Sequence, residues 1–247
     1  MKITIIYGQN HKGSTYHIAR MVADKVLASC EKQKNNSHNN SIIGNSITEF
    51  FLPRDFGEFC VGCSSCFLRG EEKCPHAEKL HQITSAMDDA DLIIFASPVY
   101  VYHATGAMKA FLDHYGWRWM VHRPEEKMFS KQALCISTAA GSGTKSTNKD
   151  MADSLFFWGV PKIYQYGINV AATSFSKINP KKLAKIERDT TKIAEKIVHN
   201  DGKVKVGLKT KGFFLIMRMI QKKSSWNEID CRYWNERGWN KKNRPWK

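Results

Sequence analysis

The sequence predicts an α/β protein: an open, mostly parallel sheet of five strands with helices on both faces, followed by a basic, aromatic-rich C-terminal extension. Three observations carry this expectation. Short apolar runs alternate with helix-period segments through the first 200 residues. Each run stops at a Gly, a Pro or a cluster of small residues. The formal charge of +15 is uneven: residues 177–247 hold 20 Lys/Arg against 7 Asp/Glu, whereas residues 1–176 hold 18 against 16. We therefore expect an ordinary domain over residues 1–200 and a basic appendage over 201–247 that packs on its parent or joins subunits.

The first strand is KITIIYG (2–8). STYHIARMVADKVLAS follows as a helix with Ile18, Met21, Val22 and Val26 on one face, capped by Ser14 or Gly13. The polar stretch 31–41 has no period and reads as a loop. SITEFFL (46–52) is the second strand, ended by Pro53, and an irregular cysteine-rich segment follows. AEKLHQITSAMDDA (77–90) is helical, DLIIFAS (91–97) is the third strand, and residues 104–120 are helical. QALCIST (132–138) is the fourth strand, with the loop AAGSGTKS and a helix over 148–159 after it. PKIYQYGINV (161–170) is the fifth strand. The amphipathic helix 179–200 has Leu183, Ile186, Ile193 and Ile197 on its apolar face and Pro180 in its first turn.

Ligands of such sheets bind at the carboxyl ends of the strands, so loops 8–15, 53–76, 97–104 and 138–147 matter most. The first of them is YGQNHKGST, leading into a helix N-terminus. Unpaired backbone N–H groups, hydroxyls and Lys12 make an anion site there; an ordinary capped turn is the alternative. The loop is neither GxGxxG nor GxxxxGK[ST], so a Rossmann dinucleotide site and a P-loop both lose support. After the third strand comes SPVYVYHATGAMKAFLD, an aromatic loop, a Gly and a helix. The small residues of STAAGSG let backbone approach a flat ring.

These motifs, GQNHKGST, C-x-G-C-x-x-C, ADLIIFASPVY…TGAMKAFLD and STAAGSG in this order, resemble the flavodoxin-fold NAD(P)H-dependent oxidoreductases over about residues 1–200. That group includes FMN reductase-like proteins and iron–sulfur flavoproteins. The resemblance implies strand order 2-1-3-4-5 and FMN at the carboxyl edge. Asn10, His11, Gly13, Ser14 and Thr15 would cradle its phosphate. Pro98, Val99, Tyr100, Val101, Tyr102 and His103 would flank the isoalloxazine ring. Thr138, Ala139, Ala140, Gly141 and Ser142 would meet its polar edge through backbone. The family often has Arg or Asn where this loop has His11-Lys12 or Ser14, which changes the side chains available to the phosphate. The chemistry is then the flavin's, with no protein acid or base demanded, and NADH or NADPH as co-substrate. The resemblance also implies a homodimer or homotetramer, serving a small-molecule acceptor or an electron-transfer protein.

Four of the seven cysteines form C60-x2-C63-x2-C66-x7-C74. Cys60, Cys63, Cys66 and Cys74 suit a [4Fe–4S] cluster, a zinc ion, or redox-active thiols, and these alternatives stay open. The related iron–sulfur flavoproteins usually have a shorter last gap, so Cys74 is the ligand in question. Cys135 lies in an apolar run and reads as a buried small hydrophobe. Cys30 and Cys231 have no evident partner in the sequence.

Met1 runs straight into an apolar strand without the features of a secretory signal, and no window approaches the ~18 apolar residues of a membrane span. The expectation is cytoplasmic. The tail has an apolar core, Phe213–Ile220, with basic flanks and Trp226, Trp234, Trp239 and Trp246 beyond it. Packing or oligomerisation is the favoured reading of that tail, with interfacial membrane binding and nucleic-acid binding as rivals. An FMN oxidoreductase is thus set against a one-electron flavoprotein and a non-enzymatic binding protein.

Overall fold

The computed structural model describes residues 1–36, 44–223 and 227–246. Five strands, β1 (Lys2–Tyr7), β2 (Ser46–Phe51), β3 (Leu92–Pro98), β4 (Gln132–Ala139) and β5 (Lys162–Asn169), form one sheet. Its order is β2-β1-β3-β4-β5 and every pairing is parallel. The expected flavodoxin-like architecture is what the chain adopts. β3 and β4 are buried almost end to end, which is why they read as unbroken apolar runs, whereas the edge strands β2 and β5 alternate.

Helices cover both faces. α1 (Ser14–Asn36) and α6 (Pro180–His199) enclose one core around Ile5, Val22, Ile94, Ile136 and Ile197. α3 (Ala77–Asp89), α4 (Gly106–Asp113) and α5 (Thr144–Phe157) enclose the other around Phe95, Met108, Phe111, Leu155 and Trp158. Cys135 lies fully within this second core, where burial pushes its thiol pKa up. Cys30 is buried in the first.

Several elements differ from the sequence reading. α1 continues through Asn36, six residues into the stretch read as a loop; residues 37–41 of that stretch lie outside the described residues. The helix expected over 104–120 stops at Asp113, and a 3-10 turn (Gly116–Arg118) follows. Gly116 leaves room for the Phe67 ring, 3.0 Å from where a Cβ would stand. α5 starts at Thr144 rather than 148, because Gly143 at φ 95° supplies a left-handed entry turn. The cysteine segment, read as irregular, contains the short helix α2 (Ser65–Leu68) and a 3-10 turn (Glu71–Lys73).

The extension folds into α7 (Leu208–Lys223) and α8 (Glu228–Glu236). It builds a third core in which Val206, Phe214, Trp234 and Trp239 meet Met120 and Phe129 of the sheet domain. Trp234 Nε1 donates to the His122 carbonyl (2.6 Å) and Arg218 Nε to the Trp239 carbonyl (2.9 Å).

Lys131, immediately before β4, is 6% exposed and donates to the Asp88 and Ala90 carbonyls. Burial lowers its pKa to about 8. Between pH 8 and the unfolded value of about 10.4 the unfolded chain holds more protons, so this group makes stability rise with pH. Wild type should gain about 2 kcal/mol relative to Lys131→Met between pH 7 and 10, read from paired urea melts. A constant difference across that range would contradict the assignment.

Candidate cofactor site at the carboxyl edge

The loops after β1, β2 and β3 converge on one cleft of about 360 Å³, lined by Gly8, Gln9, Asn10, His11, Pro53, Tyr100 and Thr105 among others. Thr105 joins two of these loops. Its hydroxyl donates to the Gly8 carbonyl and also caps α4 by accepting from Met108 N–H (3.1 Å). Its backbone N–H donates to Ser97 Oγ (3.1 Å). The sequence reading, which began this helix at residue 104, missed Thr105 as its cap, although a Thr before Gly at a helix start could have marked it. Gln9 receives the Tyr100 hydroxyl (3.1 Å), tying the first loop to the third.

Within the first loop Asn10 and His11 are exposed and Gly13 and Ser14 half-buried, at the N-terminus of α1. A Cβ on Gly13 would meet the His11 ring at 2.8 Å. Thr15 differs: it is buried, and its hydroxyl pairs with Thr138 Oγ1 at 2.6 Å. Its side chain thus links the first loop to β4, leaving the backbone N–H groups of the first helical turn to meet an anion.

Residues 100–103 form a two-residue hairpin. Tyr100 and His103 exchange backbone bonds of 3.0 and 3.1 Å, while Val101 and Tyr102 sit at φ 48° and 67°. Such a turn favours Asn-Gly, and a β-branched residue there is strained. Val101 is 92% exposed, so no packing of its side chain offsets this backbone cost. Val101→Asn should raise unfolding stability by about 1 kcal/mol and weaken flavin binding. A urea melt and a flavin fluorescence titration check both parts; unchanged stability would mean the turn is not strained.

Behind the hairpin, Asp150 Oδ2 lies 3.1 Å from His103 Nδ1 and accepts Ala104 N–H at 3.1 Å. Val99 N–H donates to the Thr138 carbonyl (2.9 Å), and Ser146 Oγ donates to the Tyr102 carbonyl. Thr138 and Ala139 are buried, whereas Ala140, Gly141 and Ser142 are exposed. The β3 and β4 loops therefore form one wall. Pro98 is half-buried at the end of β3. Asp150 carried no recognisable signal, because only the fold brings it beside His103.

On the loop after β2, Cys60, Cys63, Cys66 and Cys74 all line a single small cavity of about 70 Å³. The long gap before Cys74 is taken up by a reversal at Gly70, φ 113°, and the 3-10 turn after it. Burial raises the Cys66 pKa, and the neighbouring Cys74 and Cys60 add to the effect. A hydrogen bond with Ser65 lowers that of exposed Cys63. Among the described residues no three of these thiols lie within 4.8 Å of one another. A single zinc ion with bonds of about 2.3 Å draws its thiolates closer than that.

Two histidines also border this cavity. His114 Nδ1 lies 2.7 Å from the Ala110 carbonyl, an acceptor only, so Nδ1 carries the proton. His114 Nε2 then accepts from His76 Nδ1 at 2.9 Å. Burial lowers the His114 pKa, consistent with a neutral ring. Cys74, His76 and His114 bring their ligand atoms within 4.8 Å, a grouping the sequence did not suggest.

The extension grips the same loop. Arg123, 3% exposed, donates to the Cys66 carbonyl and pairs with Glu71 (3.1 Å) and Asp230. Asp230 of α8 is fully buried and also meets His122 Nδ1 at 2.7 Å. Asn227 Nδ2 donates to the Phe67 carbonyl (2.9 Å). Cys231 places its sulfur 3.5 Å from Gln221 Oε1.

Residues 1–173 match the NADPH-dependent FMN reductase family. An iron–sulfur flavoprotein of Archaeoglobus fulgidus is 26% identical over 224 residues, covering 87% of this chain and 92% of that protein. A second one from the same organism is 26% identical over 113 residues, 46% of this chain and 48% of its own. Among solved structures, a flavone reductase superposes with TM-score 0.57 at 17% identity, covering 82% of this chain; this chain spans only 64% of its length. An FMN-dependent NADH-azoreductase from Bacillus anthracis, in complex with FMN, superposes with TM-score 0.56 at 12% identity, covering 80% of this chain and all of that one. The two structural likenesses speak for the fold, and the sequence match carries the family. On that match the chain belongs to the NADPH-dependent FMN reductase family and is an FMN-dependent oxidoreductase that uses a reduced nicotinamide.

Proposed function

We propose that this oxidoreductase is of the iron–sulfur flavoprotein kind, with FMN across the ends of β1, β3 and β4 and a [4Fe–4S] cluster on Cys60, Cys63, Cys66 and Cys74. Its acceptor is a small molecule or an electron-transfer protein. The observation that carries the reading is the convergence of all four thiols on one cavity, on the segment that follows β2. When bound, FMN supplies two-electron chemistry and the cluster one-electron chemistry.

The chain's own part is binding and shaping. The first turn of α1 offers backbone N–H groups to the phosphate, beside Asn10, His11, Gly13 and Ser14. Thr15, through Thr138, fixes the distance between that turn and β4. The strained hairpin that presents Val101 and Tyr102 would flank the ring, and Asp150 orients His103 at the hairpin's base. The Gly141 carbonyl accepts Asn169 Nδ2, which fixes the loop, and exposed Ala140, Gly141 and Ser142 would turn backbone N–H groups toward the ring's polar edge. Arg123 fixes the backbone of Cys66.

Iron and acid-labile sulfide measured on anaerobically purified protein test the cluster. We expect about four irons per chain. Cys66→Ser and Cys74→Ser should each lose most of that iron while retaining FMN. Sub-stoichiometric iron in wild type after reconstitution would leave a plain flavin reductase. Absorption spectra before and after NADH or NADPH report which nicotinamide is used.

A further inference from the structure

α7 has two faces of opposite character. The inner one carries Thr210, Phe214 and Gln221, buried, with Phe213 and Met217 half-buried against the third core. The outer one carries Leu208, Leu215, Ile216, Met219 and Ile220, all exposed, from 38% at Ile220 to 88% at Leu208. At 3.6 residues per turn these five fall within an arc of about 140°. This is a continuous stripe rather than scattered surface apolars.

The stripe lies in a strongly basic setting. α7 contains no acidic residue, and Lys209 and Lys222 stand exposed at its two ends with Lys211 half-buried between. Residues 201–247 hold 13 Lys/Arg against 4 Asp/Glu. Arg218 is the exception, turned inward onto the carbonyls of Trp239, Asn240 and Lys241.

Three occupants of this face can be weighed by their chemistry. A second copy would meet it through a symmetric contact, setting lysines against lysines with no acid on α7 to offset them. A nucleic acid would satisfy the charge, but bases stack on aromatic rings. Trp234 and Trp239 are buried, and the outer stripe is aliphatic. An anionic lipid surface satisfies both parts, taking aliphatic side chains below the headgroups and lysines among them. No helix among the described residues is long and apolar enough to cross a membrane, so the fit is to lying on one.

We propose that α7 docks this protein on anionic membrane surfaces, with Leu208, Leu215, Ile216, Met219 and Ile220 inserted at the headgroup boundary. The anchors are aliphatic, whereas the sequence had drawn attention to the tryptophans. Trp226 lies outside the described residues.

Sedimentation of the full chain with vesicles tests this. Wild type should pellet with phosphatidylglycerol vesicles and stay in solution with phosphatidylcholine. The double variant Leu215→Gln/Met219→Gln should weaken partitioning by about 10-fold or more, since each loses apolar burial. Its flavin content should not change, because neither residue lines the cofactor cleft. Lys209→Glu/Lys222→Glu should weaken it as well, and salt should mimic that variant. Three results would overturn the proposal. One is undiminished vesicle binding by the glutamine variant, which marks adsorption by charge alone. Another is a dimer in light scattering that the glutamine variant dissociates, without vesicle binding, which marks a second copy. The last is release from vesicles by a single-stranded oligonucleotide that itself binds the stripe.

Discussion

Asp230→Ala should destabilise the protein by about 3 kcal/mol, because it removes the fully buried carboxylate that faces the Arg123 guanidinium and leaves that charge only half-exposed Glu71 as a counter-ion. Arg123 is 3% exposed, and Asp230 is fully buried against it. The same carboxylate is the partner of His122 Nδ1, 2.7 Å away, so two cationic or donor groups lose their acceptor together. For a chain of this size such a loss corresponds to a drop of roughly 10 °C in the thermal midpoint. The consequence reaches beyond stability. Arg123 holds the Cys66 carbonyl, and Asn227, one turn before Asp230, holds that of Phe67. The variant should therefore expose the loop cysteines to alkylation faster than wild type does. Asp230→Asn keeps an acceptor and loses the charge, and should fall between the two. A loss under about 1 kcal/mol for the alanine variant would show that the existing Arg123–Glu71 pair is enough to hold the guanidinium.

The second large effect is expected at Gly143. Its φ of 95° is a conformation that L side chains rarely adopt. A Cβ there would stand 2.6 Å from Val99 Cγ1 and 3.1 Å from the Tyr102 backbone. Gly143→Val would have to push the hairpin of residues 100–103 away from the β4 loop, and these form one wall of the cleft. Because the displaced atoms include backbone, the clash cannot be relieved by a side-chain rotation. FMN affinity should fall about 100-fold, equivalent to about 2.7 kcal/mol, by fluorescence titration. The folded core should survive, since Gly143 is outside the strands. Retention of wild-type affinity would separate the hairpin from flavin binding.

The sheet was legible because its pattern is local. β1, β3 and β4 are apolar in continuous runs, and buried parallel strands need that. The loops 8–15 and 138–143 were legible for a related reason, since glycines and small residues mark where backbone must turn or approach closely. Helix ends were less so. The residues after Ala104 have a helical period through 120, but Gly116 is needed beneath Phe67, and the helix stops at Asp113. α1 runs past the apolar stripe that marked it, because a helix anchored over its first turns can extend into polar sequence.

The sequence by itself determined the parallel sheet, the carboxyl-edge loops proposed to meet the flavin, and the four-cysteine loop, all properties of spacing within short windows. Only the tertiary structure decided that Cys74 faces the same cavity as the other three thiols. It also decided that Thr15 spends its hydroxyl on Thr138, that Asp150 stands behind His103, and that Asp230 reaches Arg123 from more than 100 residues away. It divided the tail as well, burying Trp234 and Trp239 and leaving the aliphatic face of α7 outside. The physical reason is the same in each case. A buried polar or charged group must be satisfied by whatever the fold places within hydrogen-bonding distance, and an amphipathic helix shows which face is inward only when the surface it packs on is in place.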